Sequence, residues 1–266
     1  MRYVKAAIRH IEMLLTEEPP NKDTIISCLP TPAIAEEVFR AMAGGVTKTR
    51  PDRLVIDCST IDPGTSRRIC SMLEHAGIGT YIDTPMSGGV VGARAGTLSF
   101  MVGGSKGSFS RVSPILHKMG RSVVHCGAQG TGLSAKLANN YLLAINNLAT
   151  AEAMNFGVEA GLEPSTLAGI INTATGRNWA SEINNPVPGV VETAPASREY
   201  KGGFATALMN KDLKLAVAAA QGVQAALPLS AAALRVYGNL AADSDYAGLD
   251  FSVIYRYIKG KRNAKL

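Results

Sequence analysis

The chain has 266 residues, a net charge of +6, 46% hydrophobic and 18% charged residues. These values bound it to one large or two ordinary globular domains and exclude a disordered chain, and no apolar run approaches the roughly 18 residues that span a bilayer. The four cysteines, Cys28, Cys58, Cys70 and Cys126, are far apart and include no Cys-x-x-Cys pair, which argues against a zinc site or a disulfide framework and suits a reducing compartment.

In chain order, residues 1–15 place Arg2, Lys5 and Arg9 between apolar residues, with one acid, Glu12. The pattern is weakly like a mitochondrial presequence but lacks its serines, and it reads as an amphipathic helix. From 24 to 126 short apolar runs alternate with helical patterns. The runs are 24–29, 54–57, 80–83, 98–102 and 123–126; the helical patterns are 33–43, 65–76 and 109–119. Such alternation predicts an α/β domain with a largely parallel sheet. After Gly132 the strand signals stop. Residues 133–161 read as one long helix, too apolar to lie on a surface, followed by helices at 164–175, 206–226, 229–241 and 252–259. A loop at 184–203, with three prolines and three glycines, interrupts them. The predicted division is therefore 1–129, α/β, and 130–266, all-α.

Gly127-Ala-Gln-Gly-Thr-Gly-Leu-Ser-Ala-Lys136-Leu-Ala-Asn-Asn140 carries the most chemistry. Glycines precede the long helix, Lys136 falls in its first turns, and Asn139 and Asn140 follow on the lysine's side. A cation near a helix N-terminus opposes the macrodipole, so such a lysine is either a solvated surface residue or a used one. Gly130-Thr-Gly132-Leu-Ser-Ala135 also fits the dinucleotide pattern G-x-G-x-x-A, but the acid 20 residues past Gly132, Glu152, lies inside a helical pattern rather than at a strand end. These glycines are read as a hinge instead.

Other turns follow predicted strands, where open α/β sheets bind ligands. Asp83-Thr-Pro-Met-Ser87-Gly88-Gly89 offers a hydroxyl and unobstructed backbone N–H groups to an anion. Asp57-Cys-Ser59-Thr60-Ile-Asp-Pro63 offers Ser59 or Thr60, each also a candidate helix cap. Leu29-Pro30 turns the chain at the same edge. Lys211-Asp212 follows the proline-rich loop, and Trp179, the single tryptophan, reads as a packing anchor. The basic C-terminal residues Arg256, Lys259, Lys261, Arg262 and Lys265 have no recognisable nucleic-acid-binding fold beside them, so nucleic acid is not expected as a partner.

Together these stretches resemble the β-hydroxyacid dehydrogenase family over about residues 24–260. The carriers are Asp57-Cys-Ser-Thr-Ile-Asp-Pro63, Asp83-Thr-Pro-Met-Ser-Gly-Gly-Val90 with Gly96-Thr-Leu-Ser-Phe-Met-Val-Gly-Gly104, the 127–140 run, and Leu208-Met-Asn-Lys-Asp-Leu213. Asn185-Pro-Val-Pro-Gly189 and Gly202-Gly-Phe204 narrow the resemblance to members that oxidise 3-hydroxyisobutyrate, away from glyoxylate-reducing and phosphogluconate relatives. The resemblance implies NAD-dependent oxidation of a small 3-hydroxy acid in valine catabolism, no metal, no membrane, a homodimer or homotetramer built through the helical domain, and a mitochondrial location in a eukaryote or a cytoplasmic one otherwise. It makes Lys136 the general acid/base at the substrate hydroxyl and Asn140 the amide that orients it. Ser87, Gly88 and Gly89 hold the substrate carboxylate, and Leu29, Pro30, Thr60 and Lys211 contact the nicotinamide cofactor. Lys136 has to be neutral before hydride leaves, which desolvation or a nearby cation such as Lys211 would favour.

One departure stands out. Family members open with a strand, a G-x-G-x-M-G turn and a helix that bind the cofactor pyrophosphate. No such run occurs here, residues 1–23 contain no glycine, and a family asparagine past the Leu-Pro turn is replaced by Ile34 or an apolar neighbour. The fold expected is an incomplete Rossmann-like domain followed by a helical domain, short of the family pattern by about 60 residues, judged from a ~30-residue βαβ unit plus its following elements. Weak NAD binding is the corresponding expectation, and a catalytically inactive interaction or regulatory subunit is the second reading.

Overall fold

The computed structural model describes residues 24–45 and 49–260. The expected N-terminal helix, and Lys261, Arg262 and Lys265 of the basic tail, lie outside the described residues. The chain divides into two compact units, Met1–Leu137 and Ala138–Leu266.

The first unit is a sheet with helices on both faces. β1 (Thr24–Ser27), β2 (Leu54–Asp57) and β3 (Thr80–Asp83) run parallel in register, so that Ser27, Asp57 and Asp83 lie side by side. β5 (Leu98–Gly103) is antiparallel to β3 and to the two-residue β4 (Met86–Ser87), and β6 (Gly120–Gly127) runs parallel to β5. The strands form one sheet, of order β1-β2-β3-β5-β4 with β6 on β5. The parallel character expected from the alternating pattern thus holds for three of five pairings. Neither β4 nor α3 (Gly89–Ala95) was legible, because β4 has only two residues and α3 is a seven-residue helix with two glycines.

Alternation along the strands splits the core into two layers. Val55 and Tyr81 face α1 (Pro32–Gly44) and α2 (Pro63–His75), packing with Phe39, Met42, Ile69 and Leu73. Leu54, Ile56 and Ile82 face α4 (Lys106–Leu116), packing with Phe100, Val112 and Leu116. Both α1 and α2 start at a proline, whose fixed φ suits the first helical position. Their caps are Thr31 and Asp62. The cap of α2 is therefore Asp62 and not Ser59 or Thr60, since its carboxylate accepts from Thr65 N at 2.7 Å.

α5 (Thr131–Glu159) begins in the first unit and continues into the second. The division falls inside this helix, eight residues past the expected boundary at 129/130. The cause is visible: Leu133 is buried in the layer formed by Ile61, Ile69 and Tyr81, so the first turns of α5 belong to the sheet unit.

The second unit is helical, with α6 (Pro164–Thr173), α7 (Trp179–Glu182), α8 (Thr206–Gly222), α9 (Ser230–Ala242), α10 (Ser244–Ala247) and α11 (Ile254–Gly260), plus 3-10 turns at Pro195–Arg198 and Phe251–Val253. Ala144, Leu148 and Ala151 of α5 pack on Met209, Leu213, Tyr237, Leu240 and Phe251. Buried Asn147 crosses this core and donates to Tyr237 Oη at 2.9 Å and to Phe251 O at 3.1 Å. The 184–203 loop is pinned by buried Asp250, which accepts from Asn184 Nδ2 at 3.1 Å and Phe204 N at 2.8 Å. Two expectations are corrected. α5 does show apolar side chains to solvent, Leu142 and Phe156, and Trp179 is half exposed rather than a packing anchor within the unit.

Candidate active site

In the sheet unit, Ser87 ends β4 and Lys136 lies in the second turn of α5. Their meeting is direct: Lys136 Nζ donates to Ser87 Oγ at 2.9 Å. Lys136 is only 8% exposed, so the solvated surface lysine is excluded. Gly88 and Gly89 follow Ser87 with φ of 130° and 58°, the left-handed side that favours glycine, and no atom lies within 4 Å of where a Gly89 side chain would begin. Space is open at Gly89, whereas a side chain on Gly88 would begin 3.1 Å from Leu98 Cδ2.

The start of α5 is held from below. Asp83 Oδ1 accepts from Gly130 N at 2.7 Å, and Oδ2 accepts from Leu133 N at 3.0 Å. Burial pushes the Asp83 carboxyl above the ordinary carboxylate range, and these two N–H donors pull it back down. An internal carboxylate therefore occupies the helix N-terminus, where a pyrophosphate would sit in a dinucleotide fingerprint. That is the physical reason Gly130-Thr-Gly132-Leu-Ser-Ala135 is not one. It also offsets the field that opposes a cation in these turns.

Three of the four positions expected at the cofactor, Leu29, Pro30 and Thr60, lie at one end of the sheet, and Lys211 lies in the helical unit. The level ends of β1 and β2 bring Leu29-Pro30 and Ser59-Thr60 side by side, with Leu29 N donating to Ser59 Oγ at 2.7 Å. Ser59 N donates in turn to Asp57 Oδ1 at 3.1 Å, Ser27 Oγ to the same oxygen at 2.8 Å, and Tyr81 Oη to Oδ2 at 2.7 Å. Asp57 is thus consumed by protein donors and takes no part as a ribose-reading acid. The two turns are thus locked together at the carboxyl end of parallel strands, where open α/β sheets bind ligands.

In the helical unit, Asn140 Nδ2 donates to Asp212 Oδ2 at 2.7 Å. Lys211 Nζ sits 3.1 Å from Asp212 Oδ1, so the charge of Lys211 is offset by its neighbour. An ionised carboxylate only accepts, which fixes which way the Asn140 amide faces. Asn140 and Asp212 are buried. Asn139, expected on the same side, is exposed on α5 and instead donates to Asn140 Oδ1 at 3.1 Å. Sequence reasoning missed Asp83 and Asp57 as hubs and left Asp212 without a role. The only signal for the first two was an acid at the last position of an apolar strand. Among the described residues no group of three or more His, Cys, Asp or Glu side chains comes together to hold a metal.

A Rossmann-like sheet unit followed by a helical unit is the architecture of a nicotinamide-dependent dehydrogenase of the hydroxy-acid class. The comparisons agree. Residues 4–127 match the NAD binding domain of 6-phosphogluconate dehydrogenase, and residues 130–258 match the NAD-binding domain of NADP-dependent 3-hydroxyisobutyrate dehydrogenase. The chain is 45% identical to the 3-hydroxyisobutyrate dehydrogenase of Pseudomonas aeruginosa over 240 residues, 90% of this chain and 80% of that protein. It is 44% identical to the mitochondrial mouse enzyme of that name over 243 residues, 91% of this chain and 72% of that one. The crystallised Mycobacterium tuberculosis 3-hydroxyisobutyrate dehydrogenase with L-serine superposes with a TM-score of 0.83 at 41% identity, covering 89% of this chain and 79% of that chain. The chain belongs to the 3-hydroxyisobutyrate dehydrogenase family of NAD-dependent oxidoreductases.

Proposed function

We infer that this chain oxidises 3-hydroxyisobutyrate, or a close 3-hydroxy acid, to the semialdehyde with NAD, a step of valine catabolism. The observation that carries this reading is the Lys136–Ser87 bond of 2.9 Å at a glycine turn. When bound, NAD accepts the hydride from the hydroxyl-bearing carbon. Ser87 and the N–H groups of Gly88 and Gly89 bind the carboxylate. Lys136 takes the hydroxyl proton as general base. Asn140 orients the substrate hydroxyl, its amide turned by Asp212. Leu29, Pro30, Thr60 and Lys211 would hold the cofactor. The second reading, an inactive interaction or regulatory subunit, is not favoured, because the lysine, the serine and the amide all keep their partners.

Exposed Phe156, Trp179 and Ile183 support self-association of the helical unit as a homodimer or homotetramer, which light scattering checks. The mouse relative is mitochondrial by name, and we propose the same location for this chain if its source is a eukaryote, and the cytoplasm otherwise. No helix among the described residues is long and apolar enough to cross a membrane.

Steady-state oxidation of 3-hydroxyisobutyrate by the purified chain and by Lys136→Ala is the test. The variant should lose about 10²–10⁴ in kcat, the range for a general acid/base, while KM changes far less. A loss below tenfold would overturn the assignment.

A further inference from the structure

We infer that Asp83 is a positioning residue that sets Lys136 against Ser87, acting through the backbone of α5. The inference rests on the lysine reading above. The side-chain oxygens of Asp83 accept from the backbone at the start of α5. Asp83 occupies the point where the two elements that carry the pair are tied together.

The first element is the turn itself. Asp83 is the last residue of β3, and Ser87 follows four residues later at the end of β4. The second is α5, whose first N–H groups have no partner within the helix. Two of those early donors, Gly130 N and Leu133 N, meet the two oxygens of one carboxylate at 2.7 and 3.0 Å. Lys136 is three residues past Leu133, so one turn of helix carries the register from Asp83 to the ammonium group. A carboxylate at the root of the turn that also holds the first N–H groups of α5 fixes the separation of Nζ and Oγ through the backbone.

The surroundings are shaped for that carboxylate. A side chain on Gly103 would begin 2.4 Å from Asp83 Oδ1 and 2.5 Å from Oδ2. One on Gly132 would begin 2.3 Å from Met101 O and 2.9 Å from Asp83 Oδ2. Both glycines are conditions for the helix end and the strand end to approach this closely. Gly130 and Gly132 were read as a hinge from sequence; here they seat the helix on the acid. Asp83 is 1% exposed, so no solvent competes for its oxygens.

The test compares wild type, Asp83→Asn, Gly132→Ala and Lys136→Ala as full chains. Asparagine keeps one acceptor but turns an amide N–H against the other backbone donor. Gly132→Ala leaves the acid in place and lifts the helix start from it. In the cofactor-free protein, amide exchange at Gly130 or Leu133 and acylation of the Lys136 amine, read by peptide mass spectrometry, should each quicken about tenfold in Asp83→Asn, the factor for losing one charge-assisted hydrogen bond. In turnover, both Asp83→Asn and Gly132→Ala should lower kcat by about 10²-fold, the scale of an ångström-sized misplacement, with the KM values for NAD and hydroxy acid nearly kept, while the lost buried bonds lower the melting temperature by several degrees without unfolding the protein at the assay temperature. If Lys136→Ala is crippled while a folded Asp83→Asn turns over and acylates like wild type, the inference falls and the enzyme reading stands. If Lys136→Ala turns over like wild type, the lysine reading falls, and the exchange and acylation rates still decide whether Asp83 holds the helix. If Asp83→Asn and Gly132→Ala raise both KM values as much as they lower kcat, Asp83 is merely structural and the inference is overturned.

Discussion

Tyr81→Phe probes one bond at the hub of the cofactor edge. Tyr81 and Asp57 are each 1% exposed, and the hydroxyl donates to Asp57 Oδ2 at 2.7 Å. Phenylalanine keeps the ring and its edge-on contact with Phe39, at 5.4 Å between centroids, so no cavity opens. Oδ1 keeps Ser27 and Ser59 as donors. The loss is therefore the hydrogen bond to a buried charged group together with the hydroxyl's bond from buried Ser66, and since Ser66 keeps Gln129 as a partner we expect the first to dominate, about 2 kcal/mol within the usual 1.5–3. Its pH dependence has a definite sign. Burial pushes the Asp57 carboxyl up, and the bonds from Ser59, Tyr81 and Ser27 pull it down. Because the net shift is upward, the contribution of Asp57 as a whole is present below its unfolded pKa and is lost as pH rises through its folded one. The Tyr81 bond works in the opposite sense. It favours the carboxylate, so its contribution is complete where Asp57 is ionised and fades as pH falls through the folded pKa. Urea unfolding of both proteins by far-UV circular dichroism, near neutral pH and again in acid, should show a gap that narrows in acid. A gap below about 0.5 kcal/mol near neutrality, the size of an ordinary surface substitution, or one indifferent to pH, would refute an ionised Asp57 held by Tyr81.

Three further outcomes follow from the same geometry. Ser87→Ala should mainly raise KM for the hydroxy acid, by about tenfold, because the carboxylate it binds carries the same charge before and after hydride transfer; a collapse of kcat with KM held would reassign the turn. Asp250→Ala strips Asn184 Nδ2, Phe204 N and Ser252 N of their acceptor and should cost about 3 kcal/mol or more in urea unfolding, a loss under about 1 showing that the loop is held elsewhere. A thiol reagent at mildly alkaline pH should label exposed Cys28 and leave Cys58 intact until the protein unfolds, since burial pushes the Cys58 thiol up to about 12; peptide mapping that finds Cys58 labelled in the native state would contradict this.

The sequence alone determined the longer elements and the chemistry-bearing residue types. Five apolar runs became strands because alternation and β-branched content are local properties, and the change to a helical period after Gly132 marked the second unit. Lys136, Ser87, Gly88, Gly89 and Asn140 were legible through their motifs, each at the end of a predicted strand or the start of a predicted helix. Tertiary structure decided what those residues touch. That Lys136 reaches Ser87, 49 positions away, depends on β4, a two-residue strand with no periodic signal of its own. That Asn140, and not Asn139, is the buried amide depends on Asp212, 72 positions on. Asp57 and Asp83 read as ordinary strand-end acids until parallel register placed them side by side and brought in donors from other elements. A hydrogen bond between distant positions leaves no periodic trace in the chain, whereas burial of one face of a helix or strand does, so the sequence carried the scaffold and the fold alone assigned the partners.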